Sequence, residues 1–386
     1  MRPQLCDFLQ KFRLRTILMQ VSVETTSELS RKMTVHVPEE KIQEQVRERL
    51  KSMAGNVKLD GFRPGKVPQS LIQKRYGKGV REEVVAALIQ SSFNEAIREE
   101  KLTPASGPSI TAELTAEGEG LKYVADFEIM PEFVLFPIGM MEVDRFVSEV
   151  KDEDLDDMLL RLRDQHRIVQ PSEIQTAQAE PSTPLENHSE VAALPELDAE
   201  FVRNFGIENG DVEVFRAEIK SSMEREMHRA LNAKTKDSVM QELLRRNESL
   251  SLPSALINEE LMSLTNATRG EAVKRGQPFD ETVAKEHFFP LAHRRVALGL
   301  LLRRIAETQK VTLDNGRVRQ TIEELALSYE KPEEVVNWYY SNRNQLDQMK
   351  SLVIEDQIVD LILENAIVSE KHIGFKELMT PPSRTA

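Results

Sequence analysis

Gly61-Phe62-Arg63-Pro64-Gly65-Lys66-Val67-Pro68 joins two helical stretches and is the most constrained segment of this chain. Its glycines permit tight bends. Its prolines fix φ and exclude a helix. Such a segment should be a stiff, shaped tip that carries Phe62, Arg63 and Lys66 outward. Phe62 suits an apolar anchor, Arg63 a forked contact to carboxylate or phosphate, and Lys66 a supporting point charge. The segment holds no catalytic constellation, so it reads as a docking tip. The competing reading is a rigid turn between elements, and residue types alone leave both open.

Upstream of the tip, Ile42, Val46, Leu50 and Met53 form one apolar stripe at helical spacing. Pro38-Glu39-Glu40 opens this helix, with acids in its first turn, and Gly55 is a fitting end. Before it, Val21 and Val23, then Met33, Val35 and Val37, alternate with polar residues and predict two strands. Downstream, a short helix from Pro68 through Lys74 should be broken by Gly77–Gly79. A longer amphipathic helix then carries Val80, Val84, Leu88, Phe93 and Ile97. Ile110, Ala112 and Leu114 alternate, as do Leu121, Tyr123, Ala125, Phe127 and Ile129, with Glu117-Gly118-Glu119-Gly120 as the hairpin between them. The tip therefore sits inside a β-β-α-α-β-β unit over residues 19–130, an α+β domain with helices on one face of an antiparallel sheet.

Residues 131–167 read as an extended connector past Pro131 and Pro137, followed by a helix near Asp152–Arg167. Between Ile168 and Val202 there is no Lys or Arg, and Pro171, Pro181, Pro184 and Pro195 interrupt the chain. Residues 168–197 are expected to be a flexible acidic linker. From 198 to 379 the pattern is helical: Phe215, Ile219, Met223 and Met227 on one stripe; Leu256, Ile257, Leu261 and Leu264 after Pro253; Val296, Leu300, Leu301 and Ile305 after Pro290; Val318, Ile322, Leu325 and Tyr329 before Pro332; Leu346, Met349, Val353, Ile358 and Leu361 last. Short breaks such as Asp314-Asn315-Gly316 imply antiparallel neighbours. This predicts a large all-α domain of extended helical arms, with residues 380–386 as a tail.

The composition, 40% apolar and 30% charged with only 5% aromatic, fits a soluble chain rich in helical surface. A net charge of −13 argues against general nucleic-acid binding. Charge is uneven, however: seven bases (Lys58, Arg63, Lys66, Lys74, Arg75, Lys78, Arg81) face one acid between Asn56 and Arg81. A basic patch around the tip points to one anionic partner surface, against the alternative of a solvated helix face. Cys6 is the single cysteine, which excludes an intrachain disulfide. No apolar run reaches the ~18 residues of a membrane span.

No enzyme site emerges. The seven histidines are scattered, and His287 and His293 have the wrong spacing for one helical face, so no metal or cofactor is expected. Phosphate-loop, GxSxG and dinucleotide signatures are absent. Among fourteen methionines, Met223, Met227, Met240, Met262 and Met349 lie on or beside apolar stripes of the helical half. Methionine suits surfaces that accept varied apolar partners, which makes Met223, Met227, Met262 and Met349 candidate client-binding residues; plain core is the competing reading. Residues 1–18 are basic with broken apolar runs and lack the pattern of a signal peptide. They are expected to be a disordered upstream extension, with Met19 as the natural start.

Taken together, the chain resembles the trigger factor family of bacterial ribosome-associated chaperones. Gly61, Phe62, Arg63, Gly65 and Pro68 match every fixed position of that family's GFRxGxxP signature. Met19–Thr25, Leu194–Phe201, Val296–Leu302 and Tyr329–Val336 extend the resemblance across residues 19–379. It implies docking at the ribosomal exit tunnel through Gly61, Phe62, Arg63, Pro64, Gly65, Lys66 and Pro68, supported by Lys58, Lys74 and Arg75. It also implies ATP-independent shielding of nascent polypeptides in the cytoplasm, with the ribosome and unfolded chains as partners, assistance to folding and export, no membrane contact, and a weak homodimer left open. The family normally carries an FKBP-type prolyl isomerase domain where this chain has its acidic linker, so a trigger factor without that activity is expected. A residual isomerase and a ribosome-independent holdase are the alternatives.

Overall fold

The computed structural model describes residues 19–54, 62, 67–113, 120–166, 194–327, 329 and 331–380. Residues 1–18, Gly55, most of the tip, the hairpin residues before Gly120, positions 168–193 of the acidic linker and the tail beyond Thr380 lie outside them. The chain divides into two units, residues 1–134 with 249–300, and residues 135–248 with 301–386.

The first unit holds a four-stranded antiparallel sheet in the order β1-β2-β4-β3, built from β1 (Gln20–Thr25), β2 (Ser30–Val37), β3 (Ser109–Glu113) and β4 (Leu121–Glu128). Val21 stands opposite Val35, and Val23 opposite Met33. The period-2 pattern puts Leu121, Tyr123, Ala125 and Phe127 on one face, where they are buried. Against that face pack α1 (Glu39–Ala54) and α2 (Gln69–Glu99), through Ile42, Leu50, Ile72, Leu88 and Phe93. Tyr123 is fully buried, and its hydroxyl meets Ser92 Oγ at 2.8 Å, so the phenol is satisfied inside the core. Desolvation pushes its pKa upward.

The expected order β-β-α-α-β-β stands, with one correction inside it. Gly77 and Gly79 do not break a short helix from a long one, because α2 runs through both as a single element of 31 residues. Glycine costs about 1 kcal/mol in a helix interior. Burial of Ile72 and Val80 on either side outweighs that local preference.

Gly120 enters β4 with φ of +83°, and a Cβ there would stand 2.6 Å from the carbonyl oxygen of Val37. Only glycine fits this join between the second hairpin and the start of α1.

The same unit contains α6 (Ser254–Arg275) and part of α7 (Glu281–Gln309), which is divided at Leu300. The Glu128 carboxylate accepts from Ser254 Oγ and from the Ala255 backbone N–H, both at 2.8 Å, and so caps the start of α6. Ile257, Leu261 and Ala292 are buried between α6 and α7. Beyond Thr265 no residue of α6 is buried, and Gly276 closes the helix in the left-handed conformation. Pro290, which the sequence pattern places ahead of a helix, lies within α7, which continues on both sides of it.

The second unit is organised on α5 (Val212–Arg246), which buries Phe215, Met223, Met227, Leu231, Val239 and Leu243. Around it stand β5 (Glu142–Val147), α3 (Asp152–Gln165), α4 (Ala199–Arg203), α8 (Asn315–Ala326), α9 (Pro332–Ser341), α10 (Arg343–Asn365), β6 (Ile367–His372) and α11 (Phe375–Met379). Asp198, Asp211 and Asp314 cap α4, α5 and α8 through side-chain oxygens that accept backbone N–H groups. The connector after Pro131 is tied to α5 at two points: the Phe136 N–H donates to Asn247 Oδ1 at 3.1 Å, and the Phe146 N–H to Thr235 Oγ1 at 3.2 Å.

β5 and β6 form a parallel pair, Glu142 opposite Ile367 through Val147 opposite His372. This corrects the expectation of an all-helical carboxyl half. Ile-Val-Ser-Glu-Lys-His has too little alternation to read as a strand, and its partner lies more than two hundred residues earlier.

Gly120→Ala should lower the stability of the first unit by about 1–3 kcal/mol, through the close Cβ contact and the unfavourable positive φ. A urea midpoint that falls at unchanged slope is the expected result.

Candidate functional site

The loop that carries the tip leaves α1 at Ala54 and returns at Pro68, whose φ of −60° and ψ of 134° start α2. Val67 is buried and anchors the return. Phe62 is 41% exposed, unusual for a phenylalanine in a chain with so few aromatics. Lys74 and Arg75 are exposed on the first turns of α2, and the Arg75 guanidinium lies 5.9 Å from the Tyr76 ring centroid. Gly61, Arg63, Pro64, Gly65, Lys66 and Lys58 fall outside the described residues.

What holds the two helices under the tip is partly electrostatic. Arg81 donates both terminal nitrogens to Glu39, at 2.6 and 2.8 Å, a bidentate fork. Glu39 is only 8% exposed. The hydrogen bond from Arg81 holds its carboxyl below the usual carboxylate range, against the opposing pull of desolvation. Arg49 adds a second ion pair to Glu83 at 2.6 Å. Between the helices lies a groove of about 690 Å³, lined by Glu39, Gln43, Arg47, Gln73, Lys78 and Arg81 among others. Its polar lining suits water or an anion better than an apolar segment.

A second feature stands in the other unit. Tyr329, Lys331, Glu334, Val335, Trp338 and Tyr339 line an open pocket of about 600 Å³. Tyr329 is 61% exposed and Trp338 51%, and α9 buries none of its residues. Trp338 meets Tyr339 edge to face, with centroids 5.1 Å apart. The single tryptophan of the chain and three of its five tyrosines fall within positions 329–340. That concentration in an aromatic-poor chain is a signal the sequence carries for this pocket, where the methionines carry none.

The methionines divide. Met223 is buried on α5 among Phe215 and Leu159, Met227 is buried further along α5, and Met349 is buried on α10 with Ile322 and Val353. They fill core, which withdraws them from an open binding surface. Met262, on α6, is 58% exposed.

Among the described residues no three His, Cys, Asp or Glu side chains gather as a metal site. The carboxylates with lowered pKa, Asp157, Glu242 and Glu281 besides Glu39, owe the shift first to a hydrogen bond from a neighbouring Lys or Arg. They belong to structural ion pairs and form no acid–base couple.

Two family models match this chain: "Bacterial trigger factor protein (TF)" over residues 19–162, and "Bacterial trigger factor protein (TF) C-terminus" over residues 211–364. The trigger factor of Stutzerimonas stutzeri is 35% identical over 435 aligned positions, covering 94% of this chain and 98% of that protein. The trigger factor of Thioalkalivibrio sulfidiphilus is 36% identical over 434 positions with the same coverage. Since 94% of 386 residues is about 363, roughly 70 positions of the Stutzerimonas protein face no residue here, about the size of a small domain. A solved trigger factor chaperone structure, studied for promiscuous substrate recognition in folding and assembly, has the same fold. Its TM-score is 0.53 at 14% identity, covering 89% of this chain and 99% of its own.

Glu39→Gln should expose the sign of the Glu39–Arg81 linkage. A depressed folded pKa means that the pair stabilises the fold above the ordinary carboxylate value of 4.5 and loses that contribution as pH falls through the folded value. The stability difference between wild type and Glu39→Gln should therefore be constant above about pH 5 and shrink at lower pH. Urea unfolding at a series of pH values measures it.

Proposed function

The chain belongs to the bacterial trigger factor family of chaperones, and we propose that it docks on the ribosome through the tip Gly61–Pro68 and shields emerging polypeptides with its helical half. The observation that carries this reading is the exposed Phe62 inside GFRPGKVP, set between two helices that core packing and a bidentate ion pair hold together. Phe62 fills an apolar contact on the exit rim. Arg63 forks onto carboxylate or phosphate there, and Lys66 supports it. Gly61, Pro64, Gly65 and Pro68 shape the tip, while Lys58, Lys74 and Arg75 extend the positive surface toward ribosomal RNA.

Clients meet weak, apolar and adaptable surface. Tyr329, Trp338 and Tyr340 on and beside α9, with Met262 on α6, supply it, and the binding needs no ATP. Exposed aromatic side chains bring large contact area at low conformational cost. No helix among the described residues is long and apolar enough to cross a membrane. The same reading puts the chain in the cytoplasm, beside translating ribosomes.

The reading includes no prolyl isomerase step. The family's FKBP-type domain would stand between the two matched segments, where this chain offers only residues 163–210. The positions of the relatives that face no residue here support the loss of that domain. An aromatic-lined catalytic pocket lacks the chain length to form.

Replacing Phe62-Arg63-Pro64 by three alanines should abolish ribosome co-sedimentation at moderate salt, a loss of at least tenfold in affinity for a hot-spot triplet, with thermal unfolding unchanged. Undiminished co-sedimentation would overturn the docking role. In a proline-limited refolding assay the purified chain should leave the slow phase at its uncatalysed rate. Acceleration comparable to an FKBP enzyme, retained on repurification, would overturn the loss of isomerase activity.

A further inference from the structure

β6 is a strand with one closed and one open edge. The Ile367 N–H donates to the Met141 carbonyl at 2.9 Å, and the Ile373 N–H to the Val147 carbonyl at 3.0 Å. In a parallel ladder the residues that face the partner strand alternate. Ile367, Ser369, Lys371 and Ile373 therefore turn their backbone groups to β5, while Val368, Glu370 and His372 turn theirs to the opposite side. Among the described residues nothing pairs with the N–H or C=O of these three. The far edge of β5 is treated differently, since there the Phe146 N–H is taken by Thr235 on α5.

Three N–H and three C=O groups in a row on an exposed strand are a template for one further strand. We propose that this edge of β6 binds an extended segment of an unfolded client polypeptide as an added strand. The proposal rests on the chaperone reading above and concerns a separate surface. Backbone pairing suits that occupant because it reads no sequence. Ile367, 54% exposed beside the edge, supplies apolar contact on one face of the incoming segment.

The charge on the edge argues against a second copy of the chain. Two β6 edges related by a two-fold axis, in the register that uses all three open residues, would set Glu370 directly against Glu370. Like charges in that position are destabilising. Residues 168–193 of this chain are an equally poor fit, since they include several acids and no Lys or Arg to place opposite Glu370.

The test is amide hydrogen exchange on the full chain, with reduced and alkylated lactalbumin as a permanently unfolded client. Exchange at Val368, Glu370 and His372 should slow at least tenfold when client saturates the protein. The amides of Ser369 and Lys371, already bonded to β5, should change little. Glu370→Pro removes only an outward N–H and leaves the ladder with β5 intact, so it should weaken client binding about fivefold, the worth of one lost hydrogen bond. Glu370→Ala should leave binding unchanged. Equal affinities for the two variants, or no client-dependent protection in wild type, would overturn the proposal. Protection that grows with this protein's own concentration would assign the edge to a second copy, and protection in the dilute, client-free chain would assign it to one of the chain's own segments; either overturns it. Should Glu370→Pro misfold, exchange in the wild type still decides. The edge is read without ribosomes, so its failure and failure of docking are separate results.

Discussion

Burial of one face of α5 is the constraint on which the second unit depends. Met223, Met227, Leu231, Thr235 and Val239 follow one another in steps of four, a continuous ridge down the helix. A helix of 35 residues gains little from propensity alone, and its stability comes from what covers that ridge. Cover comes from α3 and α4 through Leu159 and Phe201, from α10, and from Met141 and Val143 of the connector. Apart from the long α10, these elements are short or irregular, and each packs on α5. β5 is extended because its inner side lies on α5, and β6 is a strand because β5 offers it a ladder.

A protein that presents apolar surface must keep it from collapsing inward. Here the exposed aromatic group is mounted on a packed base. Val318, Ile322, Met349 and Val353 are buried beneath it, with Val336 and Tyr339 partly covered. α9 thus has its own small core under one side and Trp338 on the other. Apolar exposure elsewhere is broken into separate places, such as Val273 and Val283 beyond the packed part of α6 and α7. Small separate patches beside a net charge of −13 lower the tendency of such a surface to self-associate.

The helix pair that flanks Gly61–Pro68 solves a related problem. Burying Glu39 would be costly alone, and Arg81 offsets that cost by a fork with both oxygens engaged. Gly120 lies close by, where no side chain fits. Such a join leaves the first turn of α1 little freedom.

The strands and helices of the first unit were legible because each follows its own period: Val21 and Val23, Met33 to Val37, and Leu121 to Phe127 alternate, and Ile42 to Met53 recur at helical spacing. Of the tip, the structure describes Phe62, which is exposed, and Val67, which is buried. Local signals misled at Gly77, Gly79 and Pro290, where burial on both sides carries a helix across a weak residue. They were silent on Met223, Met227 and Met349, because an apolar stripe states that a face is covered without stating what covers it. The sequence by itself determined the β-β-α-α-β-β unit and the helical half, both properties of neighbours along the chain. Tertiary structure alone decided which methionines are core, that Tyr329 and Trp338 share a pocket, and that Ile367–His372 is a strand with an open edge. Those depend on contacts between residues far apart in sequence, which no local period encodes.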